Sequence, residues 1–284
     1  MTDGKSSEQT SQRKESKSET LTCESCGSNF EGQVTVYRLW GKEYAVKPNE
    51  CSSCESLRQT KEKAQEQEWI RLSQISVREK WWRMCGIPED FQLRRFSNFD
   101  RNLRPSPYDI ALSWAQGFWR AGPRGYSSLI LYSAGPGVGK SHLMAAIAAV
   151  IFASWEGDPS AAVCPVRFVS GPGLVRRIRA TYNLPPDSQH EREEQVYTEL
   201  QGVKVLMLDD VGKETPSVHT REVYWYIIDE RLKNGLPVVV STRLGRDALE
   251  GLMGEDTVDR LFGMARGKVV TMTGNSYRRT RQVP

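Results

Sequence analysis

The sequence contains no apolar run approaching the ~20 residues a helix needs to cross a bilayer, which excludes a membrane-spanning role of that kind. Its N-terminus has no apolar core of the sort a secretory signal carries, so a cytoplasmic location is the expectation. Cysteine is scarce, 6 in 284 residues, and in a reducing compartment disulfides are not expected from so few. A strong excess of one charge is missing too: 39 Lys and Arg against 35 Asp and Glu leave +4. That balance permits contact with nucleic acid without requiring it. Residues 1–20 (MTDGKSSEQTSQRKESKSET) have almost no apolar side chains and are expected to be a disordered tail, because they have little to bury.

What remains is a soluble, globular composition, 38% hydrophobic and 26% charged, long enough for one sizeable core and a small accessory domain. Four of the cysteines fall in two Cys-x-x-Cys units, Cys23/Cys26 and Cys51/Cys54. Two such knuckles can supply four thiolates to one tetrahedral Zn²⁺, a closed and therefore structural site. Between them, Val34–Trp40 alternates like a strand and Tyr44–Val46 follows Gly41, which suits a hairpin in a zinc-ribbon-like domain over residues 21–56. Cys85 and Cys164 stand alone and read as small buried hydrophobes. Residues 57–85 are rich in Glu, Gln, Lys and Arg and read as a helical linker whose charges face solvent.

From residue 86 to 284 the pattern alternates. Apolar strand candidates at 128–133, 166–170, 203–209, 236–242 and 268–273 are separated by helical patterns at 107–120, 140–155, 173–182, 190–202, 217–234 and 246–262. This rhythm implies an α/β fold with a parallel five-stranded sheet covered on both faces, whose ligands bind at the carboxyl ends of the strands.

After the first strand comes Ala134-Gly135-Pro136-Gly137-Val138-Gly139-Lys140-Ser141-His142, followed by a small-apolar helical run. Strand, glycine-rich loop, Gly-Lys-Ser and helix is the order a nucleoside triphosphate requires. Glycines let backbone N–H groups turn toward phosphates, and the helix presents its positive end. Lys140 would reach the β- and γ-phosphates of ATP and Ser141 would ligate Mg²⁺. Ala134 stands where a first glycine is usual. Val203–Leu208 is an apolar strand ending in Asp209 and Asp210; Asp209 would hold the Mg²⁺ shell and Asp210 would orient the attacking water. Glu214 is a lesser candidate for the second role, and reads more simply as a surface turn residue.

With Gly139-Lys140-Ser141-His142-Leu143, Asp209–Glu214, Val166–Val169 with Leu174–Tyr182, and the ending Asp259-Arg260-Leu261 to Asn275–Arg278, the chain resembles AAA+ ATPases of the DnaC/DnaI helicase-loader and IstB transposition-helper group over about residues 86–280. The resemblance implies a P-loop NTPase three-layer domain. It also implies that Arg260 is a finger reaching a neighbouring subunit's γ-phosphate, and that Arg278 contacts phosphates in its own subunit. The strand Val238–Thr242 should be followed by Asn to polarise the water, and Arg243 stands there instead. Thr242 would substitute in part, or the ATPase is weak and serves as a switch.

A finger acting in trans implies a homo-oligomer. The family offers two tasks: loading a hexameric replicative helicase while holding single-stranded DNA, or helping a transposase as an IstB-like ATPase. The zinc unit before the ATPase resembles the DnaI arrangement and favours the loader. A non-hydrolysing ATP-binding adaptor is the alternative from another class, kept by Arg243 and Asp210. Arg176, Arg177, Arg179 and Tyr182 are candidates for DNA contact, with Leu174, Val175 and Ile178 on the opposite, inward side of the same helix.

Overall fold

A computed structural model describes residues 14–39, 42–182 and 192–277. The chain divides into two compact units, Met1–Leu72 and Ser73–Pro284.

In the smaller unit β1 (Lys14–Thr22), β2 (Asn29–Leu39) and β3 (Lys42–Val46) form an antiparallel sheet in that order. The ribbon hairpin expected between the cysteine pairs is β2 and β3, paired from Thr35 opposite Val46 to Leu39 opposite Lys42. Residues 14–20, read from sequence as part of a disordered tail, belong instead to β1. Burial does not drive this strand. It pairs along its full length with β2, and Ser18 and Thr20 donate across the ladder to Glu31 at 3.1 and 2.8 Å. Backbone pairing and cross-strand hydroxyl–carboxylate bonds replace the missing apolar face. α1 (Ser52–Met84) starts inside the second cysteine pair, and its residues 57–69 are exposed, as a solvated charged helix requires.

The larger unit contains α2 (Glu89–Gln92), α3 (Pro105–Ala121), β4 (Leu129–Tyr132), α4 (Lys140–Ala153), β5 (Val166–Ser170), α5 (Gly171–Arg179), α6 (Glu193–Gly202), β6 (Val205–Val211), α7 (Val218–Lys233), β7 (Val238–Thr242), α8 (Arg246–Met253), α9 (Glu255–Ala265) and β8 (Val269–Thr271). The strands form one parallel sheet, ordered β5-β6-β7-β4-β8. Strand side chains alternate between faces, and both faces here are apolar. Leu129, Leu131, Val205, Met207 and Val239 join one buried cluster with α3 and α4. Ile130, Leu206, Leu208, Val238 and Val240 join the other, with α5 to α9. The result is three layers, helices on both sides of the sheet. α4 is buried nearly all round, which explains why its sequence shows small and apolar residues without a polar stripe.

The helix expected over 246–262 is two, α8 and α9, because Gly254 between them has φ +89°, a backbone state that ends a helix and that glycine adopts at least cost. Arg231 is fully buried in the larger unit and donates to the carbonyls of Leu200 (2.7 Å), Val203 (2.9 Å) and Pro237 (2.7 Å). It satisfies the end of α6 and the entry to β7 together.

Candidate functional site

The C-terminal ends of β4, β6 and β7 meet at one edge of the sheet, and the glycine loop follows β4 there. Gly139 has φ +101°, and a Cβ on it would stand 2.8 Å from the Phe99 ring; glycine is required both by the turn and by that close approach. α4 starts at the next residue, so its first N–H groups are free to meet an anion.

The Lys140 ammonium donates to Ser133 Oγ at 2.7 Å. Burial lowers its pKa, while the charges of Asp210 and Asp209 act to raise it. The Ser141 hydroxyl meets both Asp209 oxygens at 3.0 and 2.9 Å. Two cis ligands of an octahedral Mg²⁺ at about 2.1 Å would lie about 3 Å apart, so this hydroxyl and carboxylate, both hard oxygens, fit the ion. Burial raises the Asp209 pKa, and hydrogen bonds from Ser241 (2.5 Å) and Ser141 oppose that rise. Asp210 has φ +52° and its carboxylate takes an ion pair from Lys213 at 2.6 Å.

These groups line or back a cleft of about 690 Å³ whose walls include Pro136 to His142, Asp210, Lys213 and Arg243. The rest of the lining was not foreseen from the sequence: Phe91, Arg94, Phe99, Leu103 and Arg104 come from the lead-in to α3, and Tyr277 follows β8. The lead-in is fastened at two points. His142 Nε2 bonds the Arg95 carbonyl at 2.9 Å, and Arg104 donates to the carbonyls of Thr273 and Asn275 at 3.1 Å each. Its three phenylalanines, Phe91, Phe96 and Phe99, were the available signal in the sequence.

Other expectations fare differently. Ala134 is exposed and, with Gly135, lies outside the cleft lining; Gly135 accepts from Ser133 Oγ at 2.7 Å. Thr242 does not reach the cleft: it is 1% exposed, and its hydroxyl donates to Val211 O and accepts from Leu244 N. The preceding serine, Ser241, meets Asp209 instead, because alternate residues of β7 face opposite sides. Glu214 is a buried anchor, accepting from Gly212 N (2.7 Å) and Tyr224 Oη (2.6 Å). Arg260 lies outside the cleft lining and is held by Asp229 at 3.4 Å, with its Nη1 buried and unpaired. Arg278 lies outside the described residues. On α5, Leu174, Val175 and Ile178 are buried while Arg176 and Arg179 are exposed; Arg177 pairs with Glu199.

In the smaller unit the sulfurs of Cys23, Cys26, Cys51 and Cys54 lie within 4.8 Å of one another. Cys26 and Cys51 are 3.9 Å apart, close to the ~3.8 Å edge of a tetrahedron built on Zn–S bonds of about 2.3 Å. The Cys51 backbone N–H pulls the Cys23 thiol down to about 6, whereas hydrogen bonding with the other thiols pushes Cys54 up to about 12. Four thiolates cannot share this space without a cation, and Zn²⁺ fits the donor set.

No family model matches the chain. It is similar to the replicative helicase loader DnaC of Buchnera aphidicola subsp. Baizongia pistaciae, 26% identical over 149 residues, which is 52% of this chain and 56% of that protein. The Escherichia coli K12 DnaC is 25% identical over 148 residues, 52% and 55% of the two chains. The chain thus spans about half the length of the curated relatives it matches. Among solved structures, the DnaC helicase loader superposes with TM-score 0.52 at 20% identity, over 66% of this chain and all of that one. DnaI gives 0.51 at 21%, over 66% and 95%. AMPPCP-bound DnaA from Aquifex aeolicus gives 0.51 at 16%, over 68% and 53%. In sequence the chain is similar to the DnaC replicative helicase loaders, and its larger unit has the P-loop AAA+ fold of the DnaC and DnaI structures.

Proposed function

We propose that this chain is an ATP-dependent loader of a hexameric replicative helicase, acting in the cytoplasm and hydrolysing ATP slowly. The larger unit binds ATP with Mg²⁺. Ser141 and Asp209 hold the ion, the loop from Pro136 to His142 cradles the phosphates, and Asp210 orients the water. When bound, Mg²⁺ neutralises phosphate charge. Arg260 serves a neighbour's site, so the working form is a head-to-tail assembly; Arg278 contacts phosphates in its own chain.

One observation carries the reading: the Ser141 hydroxyl and the Asp209 carboxylate meet at 2.9 Å beside the free end of α4. The names of the relatives, replicative helicase loader, support the task. A neighbour of the same fold is a DnaA bound to AMPPCP and single-stranded DNA, which supports single-stranded DNA as a ligand, with Arg176, Arg179 and Tyr182 as its contacts here. The smaller unit, over residues 21–56 with the helix beyond, holds structural Zn²⁺ and the helicase. On that helix Trp69 is 62% and Leu72 54% exposed, three residues apart and so on one face, and such a pair suits a protein partner.

The deciding experiment is capture of a replicative helicase by the full chain, with and without ATP. Capture that is lost when Trp69 and Leu72 are changed to Ser supports loading; capture of a transposase in place of a helicase contradicts it.

A further inference from the structure

The amino-terminal ends of the strands form an edge of the sheet remote from the phosphate loop, which follows the carboxyl end of β4. Because β4 and β8 are neighbours, two connections run side by side there, the one from α3 to β4 and the one from α9 to β8. Both are fixed. Tyr126 N closes a turn on Pro123 O at 3.3 Å, Gly125 N donates to Gly235 O at 2.7 Å, and Ser128 N donates to Met264 O at 2.9 Å. Arg266, with φ +49°, ends α9, and Lys268 N donates to Ala265 O at 2.9 Å.

These connections and the last turn of α3 carry Arg120, Arg124, Arg266 and Lys268, and the three arginines are exposed. Arg120, Tyr126 and Lys268 line a groove of about 600 Å³ along α3. The groove's one carboxylate, Asp109, is paired with Arg101 at 3.0 Å. Farther along the edge, Lys233 pairs with Asp229 and Glu230. Among the described residues none of the four cations makes an ion pair. The carboxyl ends of α3 and α9 each favour a cation, which accounts for Arg120 and Arg266. Arg124 and Lys268 lie beyond those ends, so helix capping does not explain the cluster as a whole.

The aromatic groups nearby decide between ligands. Tyr126 Oη donates to Trp114 O at 2.6 Å, and the Lys268 ammonium lies 5.9 Å from the Tyr126 ring. Trp119 Nε1 donates to Ile151 O at 2.7 Å, with the Lys204 ammonium 4.9 Å from its ring. With these rings engaged, the edge offers charge without a stacking platform. Single strands bind in large part by stacking bases on aromatic side chains. A duplex carries one charge per ~1.7 Å of axis and is held through its phosphates.

We propose that the edge carrying Arg120, Arg124, Arg266 and Lys268 binds the phosphate backbone of a nucleic-acid duplex, without sequence preference. This surface is separate from the nucleotide cleft and from the single-strand contacts proposed on α5, which starts at the carboxyl edge of the sheet. Each phosphate neutralised releases counterions and adds about 0.9 to the fall of log K with log salt.

The test is fluorescence anisotropy of the full chain with a short labelled DNA duplex of arbitrary sequence, over a salt series. Replacing Arg120, Arg124, Arg266 and Lys268 together by Gln should lower the salt slope by about three to four and weaken low-salt binding about ten- to a hundredfold. Arg124→Gln alone, on an exposed turn, should lower the slope by about one; it keeps the test decisive if thermal unfolding shows that the fourfold variant is not folded. Arg176→Gln with Arg179→Gln should leave duplex binding as in wild type. Unchanged slope and affinity in the folded edge variants, loss of duplex binding only in the α5 variant, or no duplex binding by wild type at low salt would overturn the proposal. Tighter binding of a single strand or of poly-glutamate than of the duplex, with that preference lost in the edge variants, would overturn it as well.

Discussion

The ion pair between Lys213 and Asp210 sets a clear expectation for turnover. If Asp210 orients the attacking water, its carboxylate must be free to accept a proton-bearing partner, yet Lys213 holds it at 2.6 Å. The two side chains are 46% and 34% exposed, so solvent screens the pair, and a contribution of at most about 1 kcal/mol is appropriate rather than a buried-pair value. Breaking it first would slow the chemical step by up to about fivefold. Lys213→Met should therefore raise phosphate release at saturating ATP by about two- to fivefold, and Asp210→Asn should remove the gain in the double variant. Single-turnover phosphate release with Mg·ATP measures both. A rate that falls in Lys213→Met, with ATP still saturating, would refute the reasoning, because Lys213 would then act on the phosphates and not as a restraint on Asp210.

Other outcomes follow from the same structure. Arg231→Leu removes the side-chain donors to the buried Leu200, Val203 and Pro237 carbonyls, of which Pro237 keeps only Leu206 N at 3.4 Å, and a loss of about 3–5 kcal/mol in denaturant unfolding is expected; a change below about 1 kcal/mol would contradict the role given to it. Burial lowers the His142 pKa below its ordinary 6.5. The unfolded chain then binds the proton first, so stability is full above about pH 6.5 and is lost as pH falls through the folded value. His142→Gln should flatten that fall in a melting series between pH 7 and 5, and an unchanged slope would show that another group titrates. Metal analysis should find one zinc per chain, and Cys26→Ser should remove it and open residues 23–54 to protease, since structural zinc sites fold with their metal; full zinc occupancy in that variant would disprove the four-thiolate site.

The parallel sheet was legible because its strands are apolar on both faces, and the phosphate loop and Asp209 because strand, loop and helix impose residue types at fixed places. Less legible features depend on contacts distant in sequence. β1 carries no apolar face and forms on backbone pairing with β2, so its polar sequence suggested disorder. The wall of the cleft from Phe91 to Arg104 is fixed by the His142 and Arg104 bonds, which no local pattern encodes. Thr242 was expected at the nucleotide as a partial substitute for the Asn that Arg243 replaces; the alternation along β7 turns Ser241 toward Asp209 and Thr242 toward Val211. Gly254 could have been read as a break between α8 and α9, but the helical periodicity resumes on both sides of it and masked the interruption.

The proposed Mg·ATP site of Lys140, Ser141 and Asp209 is tested most directly by calorimetric titration with an ATP analogue. Saturable binding of about one nucleotide per chain, dependent on Mg²⁺ and lost or greatly weakened in Lys140→Ala and Asp209→Asn, is the predicted result. Absence of saturable binding in zinc-replete wild type, or equal binding in both variants, would contradict it.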